Sequence, residues 1–213
     1  ERWSQRHGAP AGDRPKIASE SMPMRHLLAP VEADRPVKGG ERLNVGDFVF
    51  EVIWTPGHSP GHICLYEPNH RLLLSGDHVL PSISPNVSLQ PYQQTNPLAE
   101  YIESLEQVAN LKVDRMLPAH EWDIDWFQRR IQELRDHHSA RLEAMLTDVG
   151  SEGAMTATEV AQRVPWTTGS YENLSPWMQR AAIGETLAHL QYLVVQDRLE
   201  EIEEDGLVRF RTA

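Results

Sequence analysis

Three short segments of this sequence place a potential metal ligand directly after a predicted strand. They are Thr55-Pro56-Gly57-His58, Ser75-Gly76-Asp77 and Pro118-Ala119-His120. Imidazole nitrogen binds zinc or iron well, and a carboxylate can bridge two cations while neutralising part of their charge. A single histidine after a turn is more often a surface or hydrogen-bonding residue. The hypothesis that His58, Asp77 and His120 are metal ligands therefore depends on the three segments occurring together.

Each candidate ligand follows a segment whose hydrophobic pattern predicts a strand. Alternating apolar residues at 47–54 indicate a strand that is largely buried on both faces and ends just before the first ligand. Two shorter strands, at 62–66 and 71–75, flank a turn and predict a β-hairpin that leads to the second ligand. A further strand at 113–117 leads to the third. The strand ends are thus expected to present all three ligands.

Helical patterns follow the third and fourth of these strands. Asn96 as N-cap and Pro97 as first residue open a helix with apolar residues at every third or fourth position. Residues 79–95 are predicted to form a loop that lines a site, and residues 9–46 are also expected to lack regular structure. Strands that alternate with helices indicate an α/β fold. A second amphipathic helix carries the apolar-face positions Phe127, Ile131, Leu134, His138, Leu142 and Met145.

In order and spacing, the three segments resemble the metallo-β-lactamase superfamily, whose members carry T-P-G-H-[ST]-x-G-H, then S-G-D, then P-G-H. The resemblance covers about residues 37–145 and implies a partial αββα sandwich, mainly its second half. It implies that His58 binds one metal ion, that His120 binds another, and that Asp77 bridges both as the catalytic residue. The ions are expected to be zinc, with iron or manganese as alternatives. They would hold a hydroxide that attacks an ester, thioester, lactone or similar bond of a small-molecule substrate.

The sequence departs from the family pattern in its other ligands. Members carry an H-x-H-x-D-H motif, but no two of the ten histidines in this chain are separated by one residue. We expect the motif to lie upstream of Glu1. Three ligands shared by two ions should bind weakly, so the 213-residue chain alone is expected to be inactive or nearly so. Ala119 and Glu121 also flank His120, where the family usually has glycine.

Several polar residues near the ligands have simpler interpretations. His62 and His78 are expected to make structural hydrogen bonds rather than to bind metal. Cys64 is expected to be a buried core residue, because no base or helix terminus is apparent beside it. Three carboxylates after His120 are expected to be solvated at the start of a helix, where its dipole favours negative charge. They belong to Glu121, Asp123 and Asp125.

The last third of the chain predicts a small separate module. A Gly-Ser-Glu-Gly segment at 149–153 is expected to be a linker, which gives a domain at 1–148 and a second at 154–213. Thr156 and Glu159 form a capping box for a short helix, and Ser175-Pro176 opens a longer one. Glu204-Asp205-Gly206 then predicts a hairpin turn. This layout of α and β elements resembles the winged-helix domain appended to one branch of the superfamily.

Charge argues against nucleic acid as a partner of this module. Residues 179–211 contain seven acidic and four basic side chains, and the whole chain has a formal net charge of −11. Such a surface repels phosphate backbones and anionic membranes. Packing of the module against the other domain, or against a second copy in a homo-oligomer, is the expected role.

Cellular context follows from the cysteine count and hydropathy. With Cys64 as the one cysteine, no intramolecular disulfide can form, which favours a cytoplasmic setting. No apolar run reaches the length of about 20 residues that a membrane span needs. The alternative to a hydrolase is a binding or regulatory module that uses its winged helix and retains a vestigial metal site. An intact H-x-H-x-D-H motif upstream would argue against that alternative.

Overall fold

The computed structural model describes residues 2–14, 32–91, 93–166 and 169–213. The segment from 15 to 31, part of the stretch predicted to be irregular, lies outside the described residues. The elements follow in chain order: α1 (Arg2–Arg6), β1 (Arg42–Val45), β2 (Phe48–Trp54), β3 (Ile63–Glu67), β4 (Leu72–Gly76), α2 (Pro97–Ala109), β5 (Arg115–Pro118), α3 (Phe127–Glu152), α4 (Ala157–Ala161), a 3₁₀ turn (Tyr171–Asn173), α5 (Pro176–Val195), β6 (Leu199–Glu204) and β7 (Leu207–Thr212).

Five strands form one mixed sheet in the order β1-β2-β3-β4-β5. The first four pair antiparallel, and the predicted hairpin of β3 and β4 is confirmed. β5 runs parallel to β4 after the crossover through α2. Since parallel strands end at the same edge of a sheet, the residues that follow β4 and β5 come together there.

β1 is an addition to the predicted elements. It pairs with β2 through a two-residue connection in which Gly46 adopts a φ of 58°. Glycine tolerates this left-handed conformation without steric cost, so the chain can reverse direction tightly here. The expectation that residues 9–46 lack regular structure was therefore wrong at 42–45.

The two faces of the sheet differ in burial. One face buries Cys64, Tyr66, Leu73 and Met116, and the opposite face buries Phe50 and Val52, since Val52 pairs with Leu65 rather than with Cys64. Within β2, Val49, Glu51 and Ile53 lie on the face of Cys64 and are only half-buried, and both ends of the strand are exposed, Phe48 at 39% and Trp54 at 48%. The prediction that β2 is largely buried on both faces was wrong, because only Phe50 and Val52 are buried and the rest of the strand is half-buried or exposed.

Two long helices, α2 and α5, begin where the sequence predicted. α2 starts at Pro97, and its apolar residues Leu98, Tyr101, Leu105 and Val108 are buried, while Ile102 is half-buried. All six apolar-face positions predicted for α3 are buried. α3 is longer than expected, however, because it continues to Glu152, and Gly153 with a φ of 88° follows its end. The segment predicted as a linker is the last turn of a helix.

The chain divides into two compact units. The first, called the sheet unit, comprises Glu32–Val87 and Pro97–His138; the second, called the tail unit, comprises Glu1–Val31, Ser88–Asn96 and Ser139–Ala213. The division at 148 and 154 remains a prediction. In the part of the chain that the structure describes, none of the helices is both long and apolar enough to span a membrane.

The tail unit contains the predicted module elements. Thr156 and Glu159 form the capping box of α4, and Ser175 caps α5 by accepting a hydrogen bond from Met178 N–H. β6 and β7 form the predicted hairpin, with Asp205 at a positive φ in its turn. These local predictions are confirmed, and the winged-helix arrangement stays a prediction.

Candidate metal centre

The sheet unit brings the three candidate ligands into one cluster. Asp77 follows β4 and His120 follows β5 at the same sheet edge, while His58 lies in the turn after β2. Asp77 Oδ1 is 3.2 Å from His120 Nε2, and Asp77 Oδ2 is 3.9 Å from His58 Nε2. The carboxylate therefore lies between the two imidazoles and presents a different oxygen to each.

Helix α2 holds the turn that carries His58. Gly57 adopts a φ of 137°, and a Cβ there would lie 2.5 Å from Tyr101 Cβ, which only glycine avoids. Ser104 Oγ donates to the carbonyl oxygen of Pro56 at 3.0 Å, and Tyr101 Oη donates to that of His78 at 3.0 Å. Helix α2 thus fixes both the turn that carries His58 and the backbone at His78, next to Asp77.

A backbone carbonyl sets the orientation of His58. Its Nδ1 lies 3.0 Å from the carbonyl oxygen of Asn86. Because a carbonyl can only accept, Nδ1 carries the proton, and in the neutral ring Nε2 holds the lone pair. That lone pair is on the side of Asp77. In metal-binding histidines, the ring nitrogen that does not bind the metal typically donates a hydrogen bond in this way.

His62 holds the backbone of Asp77 instead of serving as a ligand. Its Nε2 accepts the Asp77 N–H at 3.0 Å, so Nδ1 is protonated in the neutral ring and donates to Thr55 Oγ1 at 2.8 Å. The Thr55 hydroxyl then donates to Cys64 Sγ at 3.4 Å, and the thiol to the carbonyl of Ser75 at 3.5 Å. Every donor in this series points the same way, so the network fixes one tautomer of His62.

Burial keeps the side chains of the His62 network neutral. Burial lowers the pKa of His62, the neighbouring His58 imidazole lowers it further, and the Asp77 carboxylate opposes both. Burial also raises the pKa of the Cys64 thiol to about 12, which makes it an unreactive core residue, as predicted. The predicted structural hydrogen bond of His62 is present. His78 is fully buried, and burial lowers its pKa to about 3.

His120 is the most exposed of the three candidate ligands. The exposed fraction of its side chain is 66%, against 36% for His58 and 30% for Asp77. The backbone before it is anchored, because Ala119 N–H donates to the carbonyl of Gly76 at 2.9 Å. That bond extends the β4–β5 pairing to the residue next to Asp77.

The carboxylates after His120 differ from expectation. α3 begins only at Phe127, so none of them starts that helix. Glu121 accepts hydrogen bonds from the backbone N–H and the hydroxyl of Ser82, and Asp123 pairs with Arg115. The interpretation of these two as helix-start carboxylates was wrong, although both residues are exposed as expected. Ser82 lies 39 positions before Glu121 in the sequence, so no local pattern signals that contact.

The cluster fits divalent metal in donor type and arrangement. Two imidazoles and a carboxylate are donors that zinc accepts, and a carboxylate that faces two imidazoles through separate oxygens suits a bridge between two cations. Each position has two donors from this chain. Consistent with that count, no three histidine, cysteine or acidic side chains within the described ranges are placed to hold a single ion.

Comparisons with known proteins agree with this geometry. A family model described as metallo-beta-lactamase superfamily matches residues 2–120, and one described as metallo-beta-lactamase-like, C-terminal domain matches residues 173–213. Two solved structures, a metallo-beta-lactamase family protein of Thermus thermophilus and a beta-lactamase domain protein of Burkholderia ambifaria, are each 31% identical and cover 100% of this chain, with TM-scores of 0.82 and 0.79.

Curated relatives are similar over shorter stretches. The lactamase-like protein vrtG of Penicillium aethiopicum is 26% identical over 75% of this chain and 50% of its own length. An acyl-coenzyme A thioesterase of Gallus gallus is 32% identical over 45% of this chain and 35% of its own length. The chain also covers only 63% of the Thermus protein and 58% of the Burkholderia protein. From the superfamily match and the two full-chain structural likenesses, we conclude that this chain belongs to the metallo-beta-lactamase superfamily.

Proposed function

We propose that this chain contributes to a metal-dependent hydrolase that cleaves ester, thioester or lactone bonds. The observation that carries the proposal is the position of Asp77, whose two carboxylate oxygens face His58 and His120 separately. Two imidazoles on opposite sides of one carboxylate are suited to hold a pair of cations. We propose zinc as the metal, with iron or manganese as alternatives.

When bound, such cations polarise a carbonyl group and acidify water. The residues of this chain do the preparatory work. Asp77 offsets part of the cation charge, and the His62 network holds its backbone in place. His58 keeps one nitrogen free because Asn86 accepts the proton of the other. Since the His62 network is buried or half-buried, the backbone of Asp77 is fixed before substrate arrives, which lowers the cost of reorganisation.

The substrate class is an acyl compound. The acyl-coenzyme A thioesterase of Gallus gallus resembles part of this chain, and thioesters are among the bonds that the proposed chemistry hydrolyses. Two donors per ion are fewer than a catalytic zinc site uses. We therefore propose that additional donors complete each shell, and that the 213 residues alone are inactive or nearly so.

The activity test uses the complete gene product, purified without chelators and loaded with zinc. A panel of acyl thioesters, esters and lactones is assayed with the native protein and with Asp77→Asn, His120→Ala and His70→Ala. His70 is a matched control, because it is exposed and pairs with Glu67 outside the cluster. We expect the first two variants to lose about 100-fold or more in rate and the control to keep its rate. Full activity of Asp77→Asn would contradict the proposal.

For the tail unit we propose a winged-helix-like domain that does not bind nucleic acid. Arg198, Arg209 and Arg211 each pair with a glutamate of the same unit. Bases that are already paired contribute little to phosphate binding. Fluorescence anisotropy with duplex DNA at low salt tests this, and we expect no saturable binding. A cytoplasmic location and a homo-oligomer remain proposals, and light scattering tests the oligomer.

A further inference from the structure

Glu121 occupies a backbone conformation that is unfavourable for its type. Its φ is 72°, in the left-handed region that only glycine enters without steric cost. A side chain that persists there needs interactions to offset the strain. Glu121 has such interactions, because one carboxylate oxygen accepts the Ser82 N–H at 2.9 Å and the other accepts the Ser82 hydroxyl.

The partner of Glu121 belongs to a segment that also reaches His58. We call residues 80–86 the bridging loop. Arg130, whose side chain is only 8% exposed, donates to the carbonyls of Leu80 at 2.6 Å and Ile83 at 2.8 Å within it. At the far end of the loop, the Asn86 carbonyl accepts the His58 proton. The loop is therefore fixed between the neighbourhoods of the two histidines.

His120 depends on its backbone neighbours for position, because its side chain is 66% exposed. On one side, Ala119 N–H donates to Gly76. On the other side, Glu121 connects to Ser82 in the bridging loop. The first hydrogen bond fixes the backbone before His120 next to Asp77. The second fixes the backbone after His120 to the loop that orients His58.

The geometry points to Glu121 as a positioning residue that sets the location of His120 relative to His58 through the bridging loop. This inference rests on the proposed function, since the separation between His58 and His120 matters when both histidines hold metal. A merely structural role for Glu121 would stabilise the loop without affecting either imidazole.

The decisive variant is Glu121→Gly, which removes the carboxylate and relieves the backbone strain at the same position. Folding is therefore expected to survive, with an unfolding midpoint within about 4 °C of the native chain. Asp205→Gly is the matched control, because it relieves a similar φ of 52° in the hairpin of the tail unit. Glu121→Gln keeps an acceptor for Ser82, and Ser82→Ala removes one donor while it keeps the N–H.

Two measurements on the 213-residue chain need no metal. In amide hydrogen exchange, Ser82 N–H should lose protection in Glu121→Gly and retain much of it in Glu121→Gln. In NMR spectra of ¹⁵N-histidine-labelled protein, the imidazole signals of both His58 and His120 should move in Glu121→Gly and stay in place in Asp205→Gly. Unchanged imidazole signals in Glu121→Gly would overturn the inference. If that variant does not fold, Ser82→Ala decides by the same criterion.

A third measurement separates this inference from the proposed function. Titration with Co²⁺, followed by its visible absorption, should show affinity at least about 10-fold weaker in Glu121→Gly, as expected when support for a ligand is lost. Rescue by Glu121→Gln is expected. If the complete gene product binds no Co²⁺, the proposed metal site fails, and the imidazole signals still decide the positioning role.

Discussion

Substitution of Gly57 by alanine tests most sharply how the fold positions His58. The φ of 137° at this position is one that side chains rarely adopt, and the added Cβ would lie 2.5 Å from Tyr101 Cβ and 2.8 Å from Tyr101 Cα. Tyr101 is fully buried in α2, so it cannot swing away. Strained backbone costs about 1–3 kcal/mol and overpacking a further 1–3 kcal/mol. We expect a loss of about 3 kcal/mol or more in the free energy of unfolding.

Gly61→Ala is the matched control, since it lies in the same turn and a Cβ there meets nothing within 4 Å. Its effect should stay within about 0.5 kcal/mol. Urea denaturation followed by tryptophan fluorescence gives both values, and the imidazole signal of His58 reports displacement of the turn. Equal stabilities of the two variants would refute the account of how α2 holds this turn.

Three other perturbations test separate contacts. Gly76→Ala places a Cβ 2.6 Å from His62 Nε2, whereas Gly46→Ala at a similar φ meets nothing. Urea denaturation should show Gly76→Ala to be less stable than Gly46→Ala by about 1–3 kcal/mol. Equal stabilities of the two variants would contradict the close approach of Gly76 to His62. Arg130→Met, measured in the same way, should cost about 2–4 kcal/mol because buried loop carbonyls lose a charged donor; a change below about 1 kcal/mol would show that this bonding is dispensable. Burial, together with the positive charge of Arg6, lowers the pKa of His7 from 6.5 to about 4. Between these two pH values His7 is protonated in the unfolded chain and neutral in the folded chain. Stability is then full above pH 6.5 and falls by up to about 3 kcal/mol toward pH 4; unfolding curves of His7→Gln at both ends of that range should lack this part of the pH dependence.

Local patterns in the sequence predicted most of the fold. Alternation predicted β2 to β4, and Pro97 and Ser175-Pro176 marked helix starts correctly, because strand period and capping are set by neighbouring residues. β1 escaped prediction because it is a short edge strand with charged and polar residues. The end of α3 was misjudged because a glycine inside a helix costs only about 1 kcal/mol, and the helix continues through Gly150 and Ser151 to Glu152.

The candidate site was predictable in its ligands and not in their supports. His58, Asp77 and His120 stand in recognisable motifs, so their meeting could be expected. The groups that orient them are backbone carbonyls or distant side chains, such as the carbonyl of Asn86 and the hydroxyl of Ser82. Contacts that join residues far apart along the chain depend on the tertiary fold and have no local signature.

A zinc titration followed through histidine imidazole signals tests the central claim that one metal centre joins His58, Asp77 and His120. In the native chain, the signals of both histidines should shift together at the same zinc concentrations, while that of His70 stays in place. Asp77→Asn should raise the zinc concentration needed by about 10-fold or more for both. Shifts at other histidines with none at His58 and His120, or an unchanged response in Asp77→Asn, would contradict the account.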